Sequence, residues 1–417
     1  MKQHKLVILG SMDEFVELVK QARARGIYTI VCDGYPDGPA KPYADKQYDI
    51  DIRNVDGVAE MCKKEEADGI VTSFSDIMFE HLVKIADRAG LPCYLTPDKL
   101  HFLREKPEMK KMFDAIGVHS PKSVRLKKDF SDEELAGLRF PLVIKPINGY
   151  GSRGIYVVNT PAEIRQLFDA VRKYSTEKDI LAEEYNDGHE FNMMNWVVDG
   201  TVYVLSIADR EKVRPRPGEF PHLVRVTYPS RLIHEVYDEA RDVVQKVADY
   251  VGIKEGPLSM QFFWDKERGV EVCEITGRLF GYEHELVTYS GGFSVEKLLL
   301  DYVYDKKSMA ETMKNHSPFF QQIASGLYFH GKEGTVRDQS AVRELCARPS
   351  VKESIIFYNE GDTVSHEVGA KPYFVRMYLL ADSYEELDRE SAVIFEKMVS
   401  PDENGENLIL KNEVPEY

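Results

Sequence analysis

Residues 141–158 read PLVIKPINGYGSRGIYVV. Two apolar, β-branched runs flank a loop that contains G-x-G-x-x-G at Gly149, Gly151 and Gly154. This loop therefore joins strand to strand. A dinucleotide-binding fold needs the same glycines between a strand and a helix, so that reading is excluded here. Protein kinases do use a glycine-rich hairpin, but their lysine follows the loop. Here Lys145 precedes it, and neither H-R-D with its downstream Asn nor D-F-G occurs. Two readings stay open. The loop is a flap whose backbone N–H groups lie over phosphates, because glycine permits close approach, or it is a hairpin whose glycines serve turn geometry alone.

The rest of the chain supplies the frame. Its 417 residues suggest two to four domains of roughly 100–200 residues each. From the start, strands (5–9, 27–32, 69–73, 91–95) alternate with amphipathic helices (to 25, 56–66, 75–89), and Gly90 reads as a helix cap. That alternation predicts a doubly wound parallel sheet. Gly10-Ser11 opens the first helix without a full fingerprint, while the turn-rich loop 33–41 lies at the strand ends where α/β ligands sit. After about residue 100 the character changes. A helix closed by Gly117 and Pro121 is followed by a strand at 123–126 and capping boxes at Ser131/Glu134 and Thr160/Glu163. Strands at 180–185 and 191–198, a hairpin to 207, a helix at 235–251 and a hairpin over 258–276 come next. The last third, 321–417, reads strand–helix–strand–strand–helix, with Ser383 opening the final helix.

Fifty-four basic against seventy acidic residues give a formal charge of −16. This excludes the basic footprint of a nucleic-acid binder or of a polybasic membrane-surface protein. The five cysteines form no C-x-x-C pair, so reduced thiols in a cytoplasmic protein are expected. The opening apolar run KLVIL is too short for a signal peptide, and no stretch approaches the roughly 20 apolar residues of a membrane span.

LVIKPINGYGSRGI resembles the lid hairpin of the ATP-grasp superfamily, and the other motifs follow in the family's order. Lys106 in REKPEMKKMFDAIGVHSP resembles its first ATP lysine, LAEEYNDGHEF (181–191) its hinge strand, and Arg278 in EVCEITGRLFG its late arginine. The resemblance implies an α/β architecture in three parts. These are an N-terminal Rossmann-like domain (1–105), an ATP-grasp core (106–320) with a mobile lid hairpin at about 122–186, and a small α+β closing domain (321–417). It implies ATP and Mg²⁺ or Mn²⁺ as cofactors. Lys106 and Lys145 would hold the α and β phosphates beneath Gly149, Gly151, Ser152 and Gly154. Glu183 would meet the adenine, beside Glu184 and the backbone of Tyr185 and Asn186, and Glu190 the ribose. Arg278 would grip the γ-phosphate.

Metal ligation would fall to Glu274, Gln261 and Thr276. Register across the 258–276 hairpin predicts Gln261 opposite Glu274, with Met260, Phe262 and Trp264 toward the core. The family usually carries a carboxylate at Gln261 and an asparagine at Thr276. A second ion is then in doubt, unless Glu271 or Glu283 helps. The basic cluster Arg210, Lys212, Arg214 and Arg216 is a candidate receiver of a carboxylate, or a solvated loop.

The C-terminal portion resembles that of amino-acid ligases. The expected activity is carboxylate–amine ligation through an acyl phosphate, on an amino acid or small carboxylic acid. Partners are small molecules and, by analogy, a second copy in a homodimer. Bicarbonate activation, as in biotin carboxylase or carbamoyl-phosphate synthesis, is the second reading. A nucleotide-binding protein with decayed catalysis is the third.

Overall fold

The structure, a computed structural model, describes residues 3–147, 154–213, 222–281, 283–366, 371 and 373–415. The first apolar runs become β1 (Lys5–Leu9), β2 (Tyr28–Cys32) and β4 (Gly69–Val71), and a short polar strand that the sequence did not signal, β3 (Lys46–Tyr48), joins them in a parallel sheet in the order β3-β2-β1-β4. Its inner strand β1 is apolar and buried from Leu6 to Leu9, as burial on both faces requires. Three helices connect these strands or follow them: α1 (Val16–Ala24), α2 (Val55–Lys64) and α3 (Asp76–Ala89). Gly90 ends α3 at φ 74°, the left-handed cap that glycine adopts without strain.

The strand expected at 91–95 does not form. Pro92 offers no ladder donor. Tyr94 turns instead toward a segment remote in sequence, where its hydroxyl donates to the Gly277 carbonyl at 2.7 Å. The helix expected across 103–115 is split into α4 (Leu100–Arg104) and α5 (Lys106–Ala115). Glu105 is extended between them, and Pro107 falls in the first turn of α5, where its missing N–H costs nothing. The break sets Lys106 at the first position of α5.

A second sheet combines β5 (Ser123–Leu126), β6 (Leu142–Pro146), β7 (Tyr156–Val158) and β8 (Ile180–Glu184), antiparallel in the order β5-β8-β6-β7. Helix α6 (Pro161–Arg172) packs against it through Ile164, Phe168 and Val171, and is capped by Thr160. The third sheet is the largest. It holds β9 (His189–Val198), β10 (Thr201–Lys212), β11 (Leu223–Tyr228), β12 (Glu255–Asp265), β13 (Gly269–Thr276) and β14 (Ile323–Phe329). A small ribbon of β15 (Gly334–Thr335) and β17 (Thr363–Val364) is separate from it, while β16 (Val351–Ile356) and β18 (Val375–Ala381) join it. The order is β13-β12-β9-β10-β11-β14-β18-β16, antiparallel throughout.

Helix α7 (Ile233–Val251) covers one face of this sheet with an apolar stripe of Val236, Ala240, Val244 and Val247. On the other face lie α8 (His284–Gly291), α9 (Val295–Tyr304) and α10 (Lys306–Asn315), which share a core with α1 and with Trp196 of β9. The parallel sheet is thereby fixed to the large one. Strands of the last third continue the same sheet, since β14 pairs with β11 and β18 with β14. Helix α11 (Ser340–Cys346) and helix α12 (Tyr384–Lys397) close this end. Among the described residues no helix is long and apolar enough to cross a membrane.

One buried cation ties β10, β11 and α12 together. Arg225 is fully buried; its guanidinium chelates Glu211, with one arm at 2.7 Å, and meets Asp388 at 2.9 Å. Removing one partner of such a pair leaves an uncompensated buried charge. Arg225→Met is expected to lower unfolding free energy by about 3–5 kcal/mol in urea titration. An unchanged midpoint would show that the cluster carries no stability.

Candidate active site

A cavity of about 710 Å³ lies between the lid-side sheet and the large sheet, reached by residues from every part of the chain. Its charged groups come in sets. In β6 and β8, Val143 pairs with Glu183 and Lys145 with Leu181, so Lys145 and Glu183 are diagonal neighbours on one face. Lys145 Nζ lies 2.7 Å from Glu183 Oε1, and Lys110 Nζ 2.9 Å from Glu183 Oε2. Burial would lower the lysine pKa, but the Glu183 charge outweighs it and holds Lys145 above its ordinary value. Glu183 moves the opposite way: burial would raise it, and Lys145 and Lys110 keep it low. Lys106 also lines the cavity. Burial lowers its pKa against the pull of Glu274, with Lys145 adding repulsion.

The β12–β13 hairpin has the expected register where it matters, with Ser259 opposite Thr276 and Gln261 opposite Glu274. A bulge after Gln261 then shifts the ladder by one, so that Phe262 faces Val272. Met260 and Phe262 are fully buried and Trp264 half-buried, as the pattern predicts. The three expected metal ligands differ in what they touch. The Gln261 amide donates to Glu190, and the Thr276 hydroxyl donates to Asp76 Oδ1 at 2.9 Å. Glu274 is half-buried and makes no hydrogen bond or ion pair among the described residues. No cluster of three or more His, Cys, Asp or Glu suited to a metal occurs among them. A carboxylate without a side-chain partner among the described residues, in a cavity that Lys106, Lys145 and Arg278 also line, still fits Mg²⁺, which is often held by one or two carboxylates plus phosphate oxygens.

Arg278 is gripped by Asp76, the first residue of α3, through Nε at 2.9 Å and Nη2 at 2.8 Å. The contact follows from a local bridge between Phe74 and Phe280, which draws the end of β4 against the segment after Arg278. Phe74 holds φ 73° there, an unusual conformation for an aromatic residue. Sequence reading missed Asp76. The motif Ser-Asp at a helix start signals only a cap, and the ion pair depends on tertiary contact.

Glu190 is buried between Arg210 Nη1 and Lys212 Nζ, each at 2.6 Å. These cations outweigh burial and keep its pKa low. Arg210 and Lys212 thus line the cavity, while Arg214 and Arg216 lie outside the described residues. Of the hinge residues, Glu184 accepts from the Arg139 backbone N–H at 2.9 Å, and the Tyr185 N–H donates to the Pro141 carbonyl at 3.1 Å. Asn186 accepts from the Gly188 N–H at 2.7 Å and donates to Glu271. Gly149, Gly151 and Ser152 lie outside the described residues. Gly154 has φ 69°, and a Cβ there would sit 2.6 Å from the Tyr174 ring, so glycine is needed to pass the end of α6. A further acid was read only as a metal helper. Glu283 is buried in the same cavity, accepting from Asn192 Nδ2 and the Tyr228 hydroxyl, both at 2.7 Å, and burial raises its pKa.

A family model described as an ATP-grasp domain matches residues 138–284. The formate-dependent phosphoribosylglycinamide formyltransferase of Methanocaldococcus jannaschii is 24% identical over 259 residues, 60% of this chain and 63% of that protein. The chain spans 43%, 63% and 25% of the lengths of three curated relatives that it matches. The solved L-amino acid ligase from Bacillus licheniformis superposes with a TM-score of 0.79 at 21% identity, over 97% of this chain and 100% of that one. The biotin carboxylase domain of the Hydrogenobacter thermophilus 2-oxoglutarate carboxylase, solved with MgADP and bicarbonate, gives 0.72 at 16% identity, over 96% and 91%. At these identities the structural likeness establishes the fold.

The Asp76–Arg278 pair has a pH signature. Burial alone would raise the Asp76 carboxyl, but Arg278, with help from Arg104, holds it far below the usual range. A carboxyl depressed in the folded state adds stability above its unfolded pKa, about 3.9, and loses it as pH falls toward the folded value. Asp76→Asn is expected to lower the urea midpoint at pH 7 and to shrink the further loss between about pH 4 and 2. Parallel acid limbs in the two proteins would contradict the pairing.

Proposed function

We propose, on the match of residues 138–284 to an ATP-grasp domain model, that the chain is an ATP-dependent ligase joining a small carboxylate to an amine, with release of ADP and phosphate. The observation that carries this reading is the placement of Glu274, a half-buried carboxylate whose side chain has no hydrogen-bond or ion-pair partner among the described residues, in one cavity with Lys106, Lys145 and Arg278. Lys106 and Lys145 bind the α and β phosphates of ATP, and the hinge 183–186 borders the adenine. Glu274 is the principal ligand of Mg²⁺, which supplies charge neutralisation at the triphosphate.

The substrate carboxylate attacks the γ-phosphorus, the bond to the β,γ-bridging oxygen breaks, and ADP leaves. An acyl phosphate remains. The amine nitrogen then attacks its carbonyl carbon and phosphate departs. This chemistry asks the protein for position and fixed charge rather than a nucleophilic side chain. Arg278 supplies a planar guanidinium for the transferring group, and Asp76 keeps that plane oriented. The attacking amine must lose a proton. Glu283, lifted by burial and aligned by Asn192 and Tyr228, is suited to accept it.

The decisive measurement is ADP release with pools of amino acids and small carboxylates, and separately with bicarbonate. Release with a carboxylate–amine pair supports ligation, whereas release with bicarbonate alone supports the carboxylase reading. Nucleotide binding without release in any pool supports decayed catalysis. Lys145→Ala is expected to abolish ATP binding, and Glu274→Ala to reduce turnover by about 10²-fold or more. Full activity in either variant removes the site assignment. Glu283→Gln should retain ATP binding and lose about 10²–10⁴-fold in turnover. Because a base works deprotonated, the wild-type rate should rise with pH through the elevated Glu283 pKa, and this rise should vanish in the variant.

A further inference from the structure

One wall of the cavity comes from a segment that no motif singled out. Residues 408–412 run antiparallel beside the chain that leaves β14. The Lys332 N–H donates to the Leu408 carbonyl at 2.7 Å, Ile409 bridges Gly331, and the Leu410 N–H donates to the His330 carbonyl at 2.9 Å. Leu408 and Ile409 are buried in the core around β18 and α12. Asn412, only 4% exposed, is held from two sides. Its amide donates to the Tyr328 carbonyl at 3.0 Å, and its Oδ1 lies 3.1 Å from His222 Nε2. Glu413, Val414 and Pro415 then reach the cavity and line it.

The neighbours of this segment define what it faces. His222 precedes Leu223, whose carbonyl lies 3.1 Å from His330 Nε2, and the His330 ring meets that of Tyr373. Val213 stands beside this group, its N–H donating to the His222 carbonyl at 3.1 Å. Val213, Leu223, Tyr373, Val414 and Pro415 all line the cavity and give this wall an apolar patch, with Glu413 and Lys212 as charged neighbours. Arg210 lines it too, close enough to Tyr373 for its charge to oppose the upward push of burial on that phenol. An apolar wall bordered by a fixed cation suits a small acid whose non-reacting substituent is apolar.

We propose that residues 408–415 select the second substrate: anchored through Asn412, they present Val414 and Pro415 as the wall against which an apolar substituent of the acid or amine packs. This rests on the ligase reading above. The segment is not catalytic; it sets the size and polarity of what binds next to Arg210. Val414 is half-buried at the cavity edge and packs on the rim of the core that holds Leu408 and Ile409, so the KM for ATP serves as the control for an intact fold.

The test compares the wild-type chain with Val414→Trp and Val414→Ala. The readout is ADP release with single amino acids of graded apolar and polar side chains, with KM measured for both the amino acid and ATP. Val414→Trp should raise KM for the apolar amino acids about tenfold or more, and Val414→Ala should shift preference toward a larger side chain. In both variants KM for ATP should stay within about twofold, which also reports an intact fold. Turnover with unchanged side-chain preference in both variants overturns the inference and leaves the ligase reading standing. So does a wild-type preference for polar side chains. Absence of ADP release with every amino acid overturns the ligase reading for amino acids and this inference with it.

Discussion

The cavity is organised by a single demand: charge taken out of water must be paired where it stands. Three sets meet it. Glu183 is shared by Lys145 and Lys110, Glu190 by Arg210 and Lys212, and Asp76 is chelated by Arg278. Two of the sets join different layers of the fold. The first bridges the lid-side sheet to α5, and the third bridges the parallel sheet to the large one. The second runs within the large sheet, between β9 and β10. Packing alone could place these sheets near one another. Ion pairs with fixed donor directions also fix their rotation, since a guanidinium chelated through two nitrogens tolerates little displacement.

The sheets supply the spacing that makes the sets possible. A diagonal pair across β6 and β8 puts Lys145 and Glu183 on one face, and a slip of one residue would send one of them into the apolar layer of Ile144, Ala182 and Phe168. The bulge after Gln261 works in the same way. Before it, Gln261 and Glu274 share a face toward the cavity; after it, Phe262 and Val272 return to the core. The hairpin thus carries polar chemistry and apolar packing on consecutive residues without breaking either.

Much of this was legible in the sequence, and the misses have common causes. Apolar runs and caps located most strands and helices, because those signals are local. At 91–95, where a strand was expected, Pro92 offers no ladder donor and Tyr94 finds its partner in Gly277, remote in sequence. The long helix expected after residue 100 divided because Pro107 could enter only a first turn. Lys106, Lys145, Glu274 and Arg278 were legible because each lies in a recognisable run, and all line one cavity. Asp76, Asn192 and Tyr228 were not. Their value arises from what the fold sets beside them, and the residues that flank them carry no distinguishing pattern. No motif marked the segment 408–415, for the same reason.

Gln261 shows why the electrostatics must be read as a group. Its amide donates to Glu190, whose two oxygens already face Arg210 and Lys212. A carboxylate at this position would stand against another buried carboxylate, and one of the two would have to take up a proton or recruit a further cation. The neutral amide avoids that conflict and lends a donor to Glu190 instead. The same economy operates across the whole chain. A protein with an excess of sixteen acids concentrates Lys106, Lys145, Arg210, Lys212 and Arg278 around one cavity and balances most of them with carboxylates of its own. Glu274 faces this group without a direct partner among the described residues, so a cation bound there would meet a carboxylate that none of their donors has claimed.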